Sequence, residues 1–240
     1  MADDPKHLVV DSIPEQGASG RPEFDRAKPR QTETVEVTEQ LDAAIRKTLE
    51  HKRDAGSLTN LEDEFDRILR KHESVIIETI RKKKASGYDN FFGLAGVDNL
   101  ASANEVSRVV STDLGKAWEE MAALSHLAVD PESTLNHRIE GVDIVLLDGE
   151  LLRHTQIKTQ KNTLTGGQTK RSVIELSKHP NPLFAAAFEV AKWTFSPPKD
   201  SRIERIAGRQ FWEDKLEISY ALVVAKARES AQRLERALFD

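Results

Sequence analysis

The 240-residue chain contains no cysteine. Disulfides, thiolate zinc sites and cysteine nucleophiles are therefore excluded, and a reducing compartment fits that usage. No apolar run approaches the roughly 20 residues needed to span a bilayer. The first residues also lack the basic-then-apolar order of a signal peptide. A cytoplasmic location with no membrane partner is the expectation. None of the seven histidines pairs with another at i, i+4. Gly166-Gly167-Gln168-Thr169-Lys170 lacks the spacing of a phosphate-binding P-loop, so no nucleotide cofactor is expected. What is present is 38% hydrophobic residues, enough for a core, and 31% charged residues, with a net charge of −5.

Residues 1–34 carry Pro5, Pro14, Pro22 and Pro29 without hydrophobic periodicity, which predicts a disordered or loose N-terminal arm. Residues 35–100 read as a helical region. Leu41, Ala44, Ile45 and Leu49 recur at helical spacing, as do Leu61, Phe65, Ile68, Leu69, Val75, Ile76 and Ile80. The second helix is expected to start on a Ser57 cap, with a break near His72. The Arg81-Lys82-Lys83-Lys84 run suits its C-terminal end through the macrodipole, or contact with phosphates. Residues 101–240 are expected to form the core. A short helix over Ala103–Val110 is followed by a second helix opening at Thr112 or Asp113 and burying Leu114, Trp118, Met121 and Leu124.

The most informative stretch runs from Gly141 to Thr159. Asp148-Gly149 between two apolar runs predicts a hairpin, with strands at about Ile139–Leu147 and Leu151–Thr159. Alternation places His154, Gln156 and Lys158 on one face, with a surface role expected for His154. The hairpin brings Asp143 of the partner strand close to Gln156 and Lys158. A carboxylate and an amide oxygen suit a hard cation such as Mg²⁺, and an ammonium beside them suits an attacking water or a phosphate. Between Leu151 and Lys178 there are six cations (Arg153, Lys158, Lys161, Lys170, Arg171 and Lys178) against Glu175 alone. A basic island in an acidic chain is the footprint of a polyanion partner. The Gln160–Arg171 stretch, read as a loop, offers Lys161, Asn162, Thr163, Thr165, Gln168, Lys170 and Arg171 for DNA contacts.

Asp143 followed by Gln156-Ile157-Lys158 across a turn resembles the core of the PD-(D/E)xK nuclease superfamily, which includes many type II restriction endonucleases. Gln156 stands where Glu or Asp is usual. Gly115-Lys116-Ala117-Trp118-Glu119 is similar to the superfamily's first core helix, and Gly208-Arg209-Gln210-Phe211-Trp212 to a segment of several restriction enzyme families. By this resemblance Asp143, Gln156 and Glu119 (with Glu120 next) are the metal residues and Lys158 is the catalytic lysine. The implied fold is α/β (α+β), a central mixed β-sheet flanked by helices with a restriction-endonuclease-like core. The implied activity is Mg²⁺-dependent, sequence-specific cleavage of double-stranded DNA by a homodimer within a restriction–modification system. A DNA-binding module without catalysis, a repair or nicking nuclease, and a helical interaction protein are the competing expectations. Leu183–Val190 is expected as a central strand, Lys192–Ser196 as another strand, and Tyr220–Leu238 as a helix.

Overall fold

The computed structural model describes residues 34–35, 38–56 and 60–239. The arm expected over 1–34 and the Ser57 cap fall essentially outside the described residues. Two strands, β1 (Thr34–Val35) and β3 (Arg138–Ile139), pair in parallel as a small ribbon.

The main sheet has five strands in the order β2 (Ala128–Val129), β4 (Ile144–Asp148), β5 (Leu151–Gln160), β6 (Pro182–Phe188) and β7 (Glu204–Ala207). The β2–β4 and β4–β5 pairs are antiparallel, and β5–β6 and β6–β7 are parallel. It is a mixed sheet flanked by helices. The expected hairpin is present, and it turns at Gly149-Glu150, with Gly149 at φ 62°. A primed turn needs that conformation, which glycine reaches without steric cost.

Helices cover both faces. Helix α1 (Glu39–Ala55) buries Leu41, Ile45 and Leu49 against Val129, Val145 and Leu152. On the opposite face lie α2 (Leu61–Ser86), α4 (Asp98–Ala122) and α7 (Tyr220–Phe239). There Phe65, Ile68, Trp118 and Met121 meet Ile144, Leu146, Ile157, Leu183 and Ala185. The division follows strand alternation, with even and odd positions of β4 serving opposite cores. Two short helices, α3 (Phe91–Leu94) and α5 (Pro131–Leu135), lie in connections. Helix α6 (Gly166–Leu176) joins β5 to β6 and packs Leu176 on Phe184 and Phe195. No helix among the described residues is long and apolar enough to cross a membrane.

Several local expectations are corrected. Helix α2 is unbroken at His72. The two helices expected on either side of Val110 form the single helix α4, because Thr112 does not cap: its hydroxyl donates back to the Arg108 carbonyl, a bond an interior helix position permits. Lys192–Ser196 is not a strand. Thr194 instead ties this segment to the Lys161 and Leu164 carbonyls. The third parallel position in the sheet goes to β7. The Phe211–Trp212 segment forms a π-helical turn (Gln210–Lys215) with both aromatics buried. The Trp212 indole donates to the Ala187 carbonyl at 2.8 Å.

Candidate functional site

Strand β5 is longer than its partner β4. The β4–β5 pairing ends at Ile144↔Thr155, while β5 continues to Gln160 beside β6 alone. Past Thr155 the β4 side of β5 is therefore open, and its amide groups need other partners. Asp143 supplies one, its carboxylate accepting the Ile157 N–H at 2.6 Å. The Asp143 amide donates to Thr155 O at 2.9 Å. The splay between the two strands and the fixed orientation of Asp143 thus have one cause.

Just before Asp143, Gly141 takes φ 73°. A Cβ there would stand 2.6 Å from the Glu175 Cβ, so only glycine fits. This bend ends the strand expected from Ile139 and brings Asp143 to the mouth of a cleft of about 920 Å³. Glu119, Asp143, Gln156 and Lys158 all line that cleft. Lys158 Nζ is 3.9 Å from Asp143 Oδ2.

The electrostatics favour a cation. Burial raises the Asp143 carboxyl above its ordinary range, opposed by the Lys158 ammonium and the Ile157 N–H. Glu119 is pushed up to about 8 by burial first and by the Asp143 charge second. Carboxyls that resist ionisation beside one another are relieved by a metal between them. Gln156 gives a further observation. It is 6% exposed, and its side-chain carbonyl Oε1 is buried with no hydrogen-bond partner. A buried carbonyl oxygen without a donor is costly; Gln156 as a residue lines the cleft. Among the described residues no three His, Cys, Asp or Glu side chains form a ligand cluster by themselves. The donor set here is two carboxylates and an amide, which suits Mg²⁺ because that ion keeps several waters.

Glu120, the second choice on α4, points elsewhere. It bonds Lys71 and His72 of α2 at 2.8 and 3.0 Å. Helix α1 braces the C-terminal end of α4, one turn beyond Glu119: Lys52 donates to the Ala123, Ser125 and Ala128 carbonyls at 2.6, 2.7 and 2.6 Å. Burial nevertheless lowers the Lys52 ammonium to about 8.

The stretch after Lys158 is only partly a loop. Thr165 caps α6 through a capping box with Gln168, and the helix begins at Gly166. Gln168 and Arg171 line the cleft, whereas Lys161, Asn162, Thr163, Thr165 and Lys170 stand outside its lining. Arg171 reaches Glu175 at 2.6 Å. His154 is fully buried rather than on the surface. It stacks on His179 with ring centroids 5.0 Å apart, and burial lowers it to about 4. The cleft also contains Lys116, Asp130, Glu132 and Glu175, which were not singled out as site residues from the sequence, and Glu140, whose odd offset from Asp143 on a regular strand would have put it on the other face. For Asp130 the signal was Asp-Pro-Glu-Ser, an N-cap followed by proline at the first helical position.

In comparison with known proteins, no protein-family model matches the chain and no curated protein matches its sequence.

Proposed function

We propose that this protein is a Mg²⁺-dependent endonuclease that hydrolyses phosphodiester bonds of double-stranded DNA, with a restriction-endonuclease-like core. The observation that carries the reading is the convergence of Asp143, Gln156, Lys158 and Glu119 at the open end of β5, with the Gln156 carbonyl oxygen buried and unpartnered.

Asp143, Gln156 and Glu119 would hold the cation. When bound, Mg²⁺ supplies charge stabilisation at the phosphate and lowers the pKa of a bound water. The chain's own groups do the rest. Asp143 is fixed by the Ile157 N–H and oriented toward the cleft. Lys158 stands beside it, placed to orient the attacking water and to offset charge on the phosphate. Gln168 and Arg171 line the same cleft at one-turn spacing on α6 and face an entering backbone. Lys161, Asn162, Thr163, Thr165 and Lys170, outside the lining, would serve as outer DNA contacts. A palindromic target would call for a twofold homodimer, one subunit for each strand, as in a restriction–modification system.

Asp143→Asn and Lys158→Ala variants test this reading. Loss of cleavage with DNA binding retained is the expected result. Cleavage at the parental rate by both variants would refute the assigned roles. Binding without cleavage by the parent protein would favour a non-catalytic DNA-binding module, the alternative that the glutamine at 156 raises.

A further inference from the structure

Helix α2 carries the Arg81-Lys82-Lys83-Lys84 run at its C-terminal end, and packing divides that run. Lys82 pairs with Glu78 at 2.6 Å, and Lys83 reaches the buried Glu105 of α4 at 2.5 Å. Nearer the start of the helix, Arg67 pairs with Glu64 and Lys71 with Glu120. Arg70, Arg81 and Lys84 are different. All three are exposed, and they pair with no carboxylate among the described residues.

Helical geometry gathers these three cations. At 3.6 residues per turn, positions 70, 74, 77, 81 and 84 fall within a sector of about 80° on one side of α2. The stripe reads Arg70, Ser74, Ile77, Arg81, Lys84, and it runs about 21 Å at 1.5 Å per residue. Between its ends the carboxylates of α2 are Glu73 and Glu78, and both are engaged. Glu78 holds Lys82, and the buried Glu73 holds Arg233 of α7 at 2.7 Å. Helix α7 runs parallel to α2, since Lys226 meets Glu62 and Asp66 while Arg233 meets Glu73. Arg236, exposed one turn past Arg233, adds a fourth cation near the level of Ile77. On α7, Glu229 pairs with Lys226, and Glu235 lines a groove against α4 on another side of the helix.

A straight row of guanidinium and ammonium groups with a hydroxyl among them matches a nucleic-acid backbone. Phosphates follow one strand of a duplex at about 3.4 Å of axis each, so the row spans about six of them. An anionic bilayer surface calls for an apolar face that inserts, and the apolar side chain in this row is the half-buried Ile77 alone. We propose that this face of α2, with Arg236 beside it, is a phosphate-backbone contact for duplex DNA outside the cleft, adding affinity without reading bases. The proposal rests on DNA as the substrate. None of the four cations lines the cleft, so they hold DNA and take no part in bond cleavage.

The test is binding of a labelled duplex to the full chain in EDTA, read by fluorescence anisotropy across a series of KCl concentrations. The triple variant Arg70→Gln/Arg81→Gln/Lys84→Gln removes three charges with a good helix former. A control, Lys47→Gln/Arg53→Gln/Lys199→Gln, removes three exposed cations elsewhere, and Arg70→Lys/Arg81→Lys/Lys84→Arg keeps the charge. The slope of log affinity against log salt should fall by about 2–3 in the glutamine triple, at about 0.9 per phosphate released, with binding roughly tenfold or more weaker at 0.1 M salt. The control and the charge-keeping triple should stay near the parent. If the glutamine triple melts early, Arg81→Gln and Lys84→Gln taken singly should each lower the slope by about 1. In Mg²⁺ the triple should cleave with a raised KM and the parental kcat. A parental slope in the α2 variants, or an equal drop in the control, would overturn the proposal while leaving DNA as the substrate. Capture by anionic vesicles that the glutamine triple loses, with its DNA slope unchanged, would overturn it in favour of a membrane surface. A parent chain that binds no duplex at low salt would remove the substrate reading, and this proposal with it.

Discussion

Replacing Glu119 with glutamine should stabilise the metal-free protein, and the gain should depend on pH. In the folded chain burial and the Asp143 charge raise this carboxyl from 4.5 to about 8. The folded state therefore holds a proton that the unfolded chain releases above its own pKa. Below about pH 4.5 both states are protonated, and the group costs nothing. Between that pH and about 8 the parent protein loses stability as pH rises, by up to about 1.4 kcal/mol per pH unit, and the loss is complete above the folded value. Water in the cleft and relaxation of Asp143 screen part of this, so about 2–3 kcal/mol is expected at pH 8. Glutamine carries no proton to lose. Urea unfolding in EDTA at a series of pH values would measure it. The two proteins should coincide near pH 4.5 and diverge upward, with the variant the more stable. Parallel curves, or a variant less stable at pH 8, would refute the assignment of Glu119 to the charged cleft. Added Mg²⁺ should narrow or reverse the gap, because the ion favours the ionised carboxylate of the parent.

Other consequences follow from the same geometry. Gly141→Ala places a Cβ against Glu175 in a left-handed backbone, so it should cost about 1–3 kcal/mol. It should also displace Asp143, lowering Mn²⁺ affinity as well as the melting temperature; an unchanged melt and affinity would contradict the account of the bend. The buried His154 is lowered from 6.5 to about 4, so the folded state resists a proton that the unfolded state accepts. Stability should fall as pH drops from 6.5 toward 4, and His154→Phe should flatten that limb in urea titrations. An acid limb as steep as the parent's would place the titration elsewhere.

What could be read from the sequence was local and strongly punctuated. Asp148-Gly149 between apolar runs marked the hairpin, and alternation along β5 put Gln156 and Lys158 on one face, where the cleft contains both. The helical spacing of Leu41, Ile45 and Leu49 matched a face that is buried. Features set by neighbours in space were harder to see. Gly166-Gly167 read as loop because glycine is a poor helix former, yet the Thr165–Gln168 box starts α6 there. Strand β7 opens with exposed Glu204 and Arg205, so no alternating apolar pattern marked it. Its place was given to Lys192–Ser196, whose alternation reflects Trp193 and Phe195 packing on Phe184 from a loop. His154 looked like a surface residue because the layer covering it, with His179, comes from a segment 25 residues later in the chain. Asp130 reaches the cleft through the β2–β4 register, which a single sequence does not display.

The most direct test of the central claim is incubation of the purified protein with mixed-sequence plasmid or phage DNA, in Mg²⁺ and in EDTA. Discrete fragments should appear in Mg²⁺ alone, and none with Asp143→Asn. Intact DNA in Mg²⁺, or fragments that persist in EDTA or with Asp143→Asn, would contradict it.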